Sequence, residues 1–74
     1  MKAEKISEIL KSHMQEYVVI RYAYADNTGL FEGVIGGMDE KNCVVELKNT
    51  KSILFVDYHA FQIFSVEIRP ITAS

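Results

Sequence analysis

Few side chains in this chain of 74 residues stand at spacings that could do chemistry. His13 and His59 are far apart and Cys43 has no second cysteine, so no cluster has the ligand spacing of a zinc site and no metal is expected. Ser7, Ser12, Ser52 and Ser65 have no adjacent base and no elbow motif, which leaves nucleophilic catalysis unsupported. Gly33-Val34-Ile35-Gly36-Gly37 lacks both the spacing of a dinucleotide fingerprint and the Lys-Ser/Thr pair that grips phosphate. The expectation is a protein that is not an enzyme and uses no cofactor. What remains is contact chemistry. Asp39-Glu40-Lys41-Asn42 is a polar loop between two apolar runs, and loops held by a rigid scaffold are where ligand contacts concentrate. The same residue types also simply build turns, so a structural reading stands beside the functional one.

That loop is positioned by the stretch from Leu30 to Leu47, which carries three of the four glycines. Residues 30–38 read as a strand whose glycines permit a sharp bend or bulge, and residues 43–48 resume a β-branched strand. Ahead of it, Ile6, Ile9, Leu10 and Met14, with His13 at the edge, follow one helix face, predicting an amphipathic helix over residues 2–16. His13 reads as a partly buried structural histidine. Residues 17–25 then switch to a period of two, with Val18, Ile20, Tyr22 and Tyr24 on one face. Asp26-Asn27-Thr28-Gly29 and Lys48-Asn49-Thr50-Lys51 are turn sequences. Residues 52–57 and 61–68 complete five strands, the last two parted by Asp57-Tyr58-His59-Ala60.

One helix followed by five short strands predicts a single mainly β domain over residues 1–74. Its expected form is a strongly bent, five-stranded antiparallel small barrel of the Sm, SH3 or OB kind. A chain this short removes only roughly 60% of its unfolded surface from water, and its one cysteine allows no internal disulfide. Cys43 reads as a small buried hydrophobe at a strand start. Oligomerisation is the remaining staple. Ile53, Leu54, Phe55 and Val56, and again Ile63, Phe64 and Val66, are apolar on both strand faces, where a monomeric antiparallel sheet should alternate. These seven residues are the expected interface between copies, joined edge to edge and head to tail in a closed ring. The net charge of −2 gives no bulk attraction to nucleic acid or membrane. No apolar run approaches a membrane span and no signal-peptide pattern is visible, so a soluble cytoplasmic protein is expected.

At two places the residues resemble the Sm/LSm family, and within it the Hfq branch of bacterial RNA chaperones. Gly33 to Met38 followed by Asp39-Glu40-Lys41-Asn42 is similar to the bent strand and turn of the first Sm motif. Leu47-Lys48-Asn49-Thr50 and the later Tyr58-His59-Ala60 are similar to Leu-Lys-Asn-Thr and Tyr-Lys-His-Ala segments of that branch, although here the tyrosine directly precedes the histidine. The resemblance implies a ring of identical subunits, about five to seven, that holds RNA bases around its central opening. Carried over, Asp39, Lys41 and Asn42 fall in one contributing loop and Tyr58 and His59 in the other. An aromatic ring can stack on a base, imidazole and amide can bond its edges, and one lysine per copy adds up around a ring. Two classes therefore stand: a ring binding single-stranded RNA or DNA, and a small barrel that serves as a structural or protein-interaction module.

Overall fold

The computed structural model describes residues 1–69. Helix α1 spans Ala3–Ser12, followed by β1 (Tyr17–Tyr24), β2 (Asn27–Asp39), β3 (Val44–Lys48), β4 (Ile53–Asp57) and β5 (Gln62–Arg69). All five strands form one antiparallel sheet in the order β4-β3-β2-β1-β5. The protein is thus mainly β, as its periodicities predict. Among the described residues no helix is long and apolar enough to cross a membrane.

Helix α1 buries Ile6 and Leu10, one turn apart, completely, with Ala3 packed beside them. Glu4 in its first turn and Lys11 in its last have the signs that favour the helix dipole. The helix stops four residues short of the expected Glu16 because the sheet takes the backbone: Gln15 N–H donates to Ile35 O at 2.9 Å, and Ile35 N–H donates to Glu16 O at 3.0 Å. Gln15 reaches that position with φ at 69°. Met14 consequently leaves the apolar stripe and is 36% exposed. His13 becomes the residue after the helix, its Nδ1 2.5 Å from Glu16 Oε2.

Strand β2 is the common rail. Its first half pairs with β1 as far as Val34 opposite Tyr17, and its second half pairs with β3 from Val34 opposite Lys48. At the changeover a Cβ on Gly33 would lie 2.8 Å from Lys48 O and 3.0 Å from Lys48 C, which are backbone atoms with no rotamer to escape into. Gly36 is the extra residue at the register shift between Ile35 and Gly37, the bulge expected of this stretch. Gly33→Ala should therefore lower stability by about 1–3 kcal/mol in urea unfolding. Gly37→Ala, where the nearest atom is a Glu46 carboxylate oxygen at 3.3 Å, should cost clearly less. Equal losses would place the bend elsewhere.

Several strand starts differ from expectation. The first hairpin closes on Ala25 and Asp26, with Tyr24 opposite Asn27, so β2 begins at Asn27 rather than at residue 30. Positive φ falls on Ala25, at 54°, while Gly29 lies within the strand under the ring of Tyr22, where a Cβ would meet Tyr22 Oη at 2.5 Å. Cys43 belongs to the turn, with φ at 56°, and is half-buried against the core instead of opening β3. The five strands, finally, form one sheet that is not closed by pairing of its outer strands. Among the described residues β4 pairs only with β3 and β5 only with β1, which leaves two free edges. Tyr58 to Phe61 must carry the chain from one edge to the other, a reach of at most roughly 18 Å, so the edges approach there without forming a ladder.

The inward face of the sheet supplies Val18, Ile20, Ile35, Val45, Leu47, Val56 and Ile63, which close over Ile6 and Leu10. Leu54 and Val66 pack against this core as well. Four of the seven expected interface side chains, Leu54, Val56, Ile63 and Val66, are thus taken up inside the subunit. The helix covers more of the inner face than the sequence pattern credits to it. Ile53, Phe55 and Phe64 remain on the outer face, 55%, 72% and 53% exposed.

Candidate nucleic-acid interface

The β2–β3 turn is built by its own polar residues. Asp39 ends β2, and its carboxylate accepts the Asn42 backbone N–H at 3.2 Å and the Asn42 side-chain amide at 2.7 Å. Those two Asn42 bonds, the side-chain one first, hold the Asp39 carboxyl below its usual value against a smaller opposing effect of burial. It is therefore a persistent negative charge. Lys41, at the tip of the turn, is exposed, and Glu40 reaches back to Lys11 of the helix at 3.4 Å.

The β4–β5 turn follows the same rule, with Asp57 accepting the backbone N–H groups of His59 at 3.0 Å and Ala60 at 3.1 Å. Between them Tyr58 turns inward. Its ring is 1% exposed and its hydroxyl shares a hydrogen bond of 2.5 Å with Ser7 Oγ on the helix. Burial pushes the phenol pKa up, partly offset by the Ser7 bond. A ring enclosed in this way offers no face to a base, so the expectation that Tyr58 is a stacking platform is corrected. The chain reverses at Tyr58 beside the helix, and the largest apolar surface at that turn goes to the gap under α1. His59, next in sequence, points to solvent and is exposed.

The two turns are brought together. Tyr58 N–H donates to Cys43 O at 3.0 Å, which sets the β4–β5 turn directly beside the end of the β2–β3 turn. Asp39, Lys41, Asn42 and His59 thereby share one end of the sheet, with Tyr58 as the buried post beneath them. Beside His59, a cleft of about 460 Å³ opens between the start of α1 and the β4–β5 turn, lined by Lys2, Ala3, Glu4, Tyr58, His59 and Phe61, with Met1. Its accessible aromatic wall is the half-buried ring of Phe61, held edge-on against Tyr22 at 4.9 Å and Phe31 at 5.3 Å between centroids. Sequence reasoning missed Phe61 because it counts as a strand residue there. The one available signal was its place directly after the turn. Lys2 and Lys41 supply cationic groups at this end, against Glu4, Asp39 and Asp57. Among the described residues no group of His, Cys, Asp or Glu could hold a metal ion.

The second motif region has a structural explanation. Asn49 Oδ1 accepts the backbone N–H groups of Lys51 and Ser52, each at 3.0 Å, and Asn49 Nδ2 donates to Glu32 O at 3.2 Å. One side chain therefore shapes the β3–β4 turn and ties it to β2 next to the Gly33 bend. Comparison with protein-family models, curated proteins and solved structures finds no match to this chain.

Proposed function

We propose that the chain is an Sm-like subunit that joins its copies through the free edges of β4 and β5 into a closed ring of about five to seven. In this reading it binds single-stranded RNA or DNA, in the cytoplasm, at the sheet end where the two turns meet. The observation that carries this reading is the Tyr58 N–H to Cys43 O bond, because it gathers Lys41, Asn42 and His59 from distant parts of the chain into one exposed cluster. Amide and imidazole groups suit the edges of splayed bases, the Phe61 wall suits a base face, and a lysine from each copy suits the phosphates.

A second reading, a protein-interaction module without nucleic acid, draws on a specific observation as well. The one tyrosine at this end is buried, and Asp39, Glu40 and Asp57 stand among the cations. Anisotropy titration with U-rich, A-rich and duplex oligonucleotides at two salt concentrations separates the two. Single strands should bind at low salt. His59→Ala should weaken that binding with the oligomeric mass unchanged, and Lys41→Ala should weaken it and flatten its salt dependence. No binding of any oligonucleotide at low salt would leave the interaction module as the function.

A further inference from the structure

We propose that Phe55 on β4 of one copy packs against Phe64 on β5 of the next, forming an aromatic clasp on the outer face of the joined sheet. The clasp rests on the ring reading and assigns the register of its joint. The observations come from the two free edges. On β4, Phe55 is 72% exposed, and its cross-strand partner on the outer face is Glu46, which in turn faces Gly37. On β5, the register with β1 shifts so that Arg21 faces Ser65 and Tyr22 faces Ile63, which leaves Phe64 as the unpaired, bulged residue. A bulge re-aims a side chain, and this one sends Phe64 outward to lie with Leu30, Arg21 and Thr28 around a shallow slot of about 220 Å³. Leu30 is 44% exposed. Each edge thus carries one outward phenylalanine that its own subunit leaves uncovered.

The alternation of faces decides the rest. If β4 of one copy extends the sheet beside β5 of another in antiparallel sense, outward residues must meet outward residues. If the bulge at Phe64 carries through to the free edge, Phe55 faces Phe64 and Ser65 together, which sets Ile53 opposite Glu67 and Asp57 opposite Gln62. Lys48 faces Ile53 within its own subunit, so it stands two strands, roughly 10 Å, from the Glu67 backbone, a gap that the two long side chains can bridge. The Lys48 ammonium then comes within reach of the Glu67 carboxylate on one side of the aromatic pair, joining the Arg69 that already bonds it at 3.0 Å, while shifting the register by two residues would set Phe55 against Glu67 and strand Phe64 in water. A second copy is the occupant this pattern fits, because knob and slot lie on the two outer strands of one chain, which are not paired with each other, and both phenylalanines are more than half exposed.

The test is disulfide trapping in the full-length protein carrying Cys43→Ser. Phe55→Cys and Phe64→Cys are prepared separately, checked for a wild-type melting curve by circular dichroism, mixed, and oxidised mildly. The mixture should give covalent dimers of one of each, since neighbouring cross-strand Cβ atoms lie within disulfide reach. Each variant oxidised alone should stay monomeric on a denaturing gel. Ile53→Cys with Glu67→Cys probes the same register one step along the strands and replaces the first pair if either phenylalanine variant fails to fold. Homodimers of Phe55→Cys alone would overturn the clasp by showing β4 against β4. An untrapped mixture would overturn it while leaving the ring standing, provided native mass spectrometry of the wild type shows a closed oligomer. A monomeric wild type would remove the ring and the clasp together.

Discussion

Tyr58→Ala should lower the unfolding free energy by about 3–5 kcal/mol, the range for truncating a large aromatic side chain in a packed core. The ring is 1% exposed among Ile6, Leu10, Val56 and their neighbours, and its hydroxyl bonds to Ser7 across the helix–sheet junction. Small domains have only about 5–15 kcal/mol in total, so the variant should be partly unfolded at room temperature. Tyr58→Phe keeps the packing and loses one hydrogen bond, a cost of about 0.5–1.5 kcal/mol. Chemical denaturation of both variants is the check, and two variants with wild-type midpoints would show that the ring is not part of the core. The same residue sets an alkaline response. Its pKa in the folded protein is raised above the ordinary phenol value of 10.0, chiefly by burial, so the unfolded chain releases this proton first. Its contribution to stability is whole below pH 10.0 and is lost as the pH climbs through the raised value. Tyr17 is also shifted upward, by burial and by the Glu32 carboxylate, so Tyr58→Phe should reduce the alkaline loss without abolishing it.

Leu10→Ala should cost about 2–5 kcal/mol, because Leu10 is fully enclosed between α1 and the inner face of the sheet and its removal leaves a cavity that rigid strands cannot collapse into. Ile9, one residue earlier and only half-buried, should cost distinctly less when truncated. Thermal melts of the two variants measure the difference. Deleting residues 1–15 should be worse than either, since it strips Ile6 and Leu10 from the core and removes the Ser7 partner of Tyr58. A truncated protein that melts at the wild-type temperature would make the helix an appendage, and the inner face would need another cover.

Much of the architecture is written in local pattern. The stripe of Ile6 and Leu10 and the alternation in Tyr17 to Tyr24 state element type wherever one periodicity holds for several residues. The crowding of glycine between Gly33 and Gly37 likewise announces a bend, since a strand interior avoids glycine unless backbones must approach closely. Where these elements end was decided by tertiary competition. Residues 13–16 have helical spacing, yet the amide and carbonyl of Ile35 compete for that backbone and draw it into the sheet. The candidate site divides along the same line. Asp39 and Asn42 could be read as turn builders because their bonds span three residues, and the exposure of Lys41 follows from sitting at the tip of that turn. Tyr58 could not be placed, since an aromatic residue in a polar turn is equally suited to water and to a core. Only the gap beneath a helix more than 40 residues earlier in the chain, with Ser7 offering a bond across a separation of 51, decides that it turns inward. The apolar strands show the limit from the other side: their composition announced more hydrophobic surface than alternation explains, but which of Leu54, Phe55, Ile63 and Phe64 a neighbour could use depends on which face α1 had already covered.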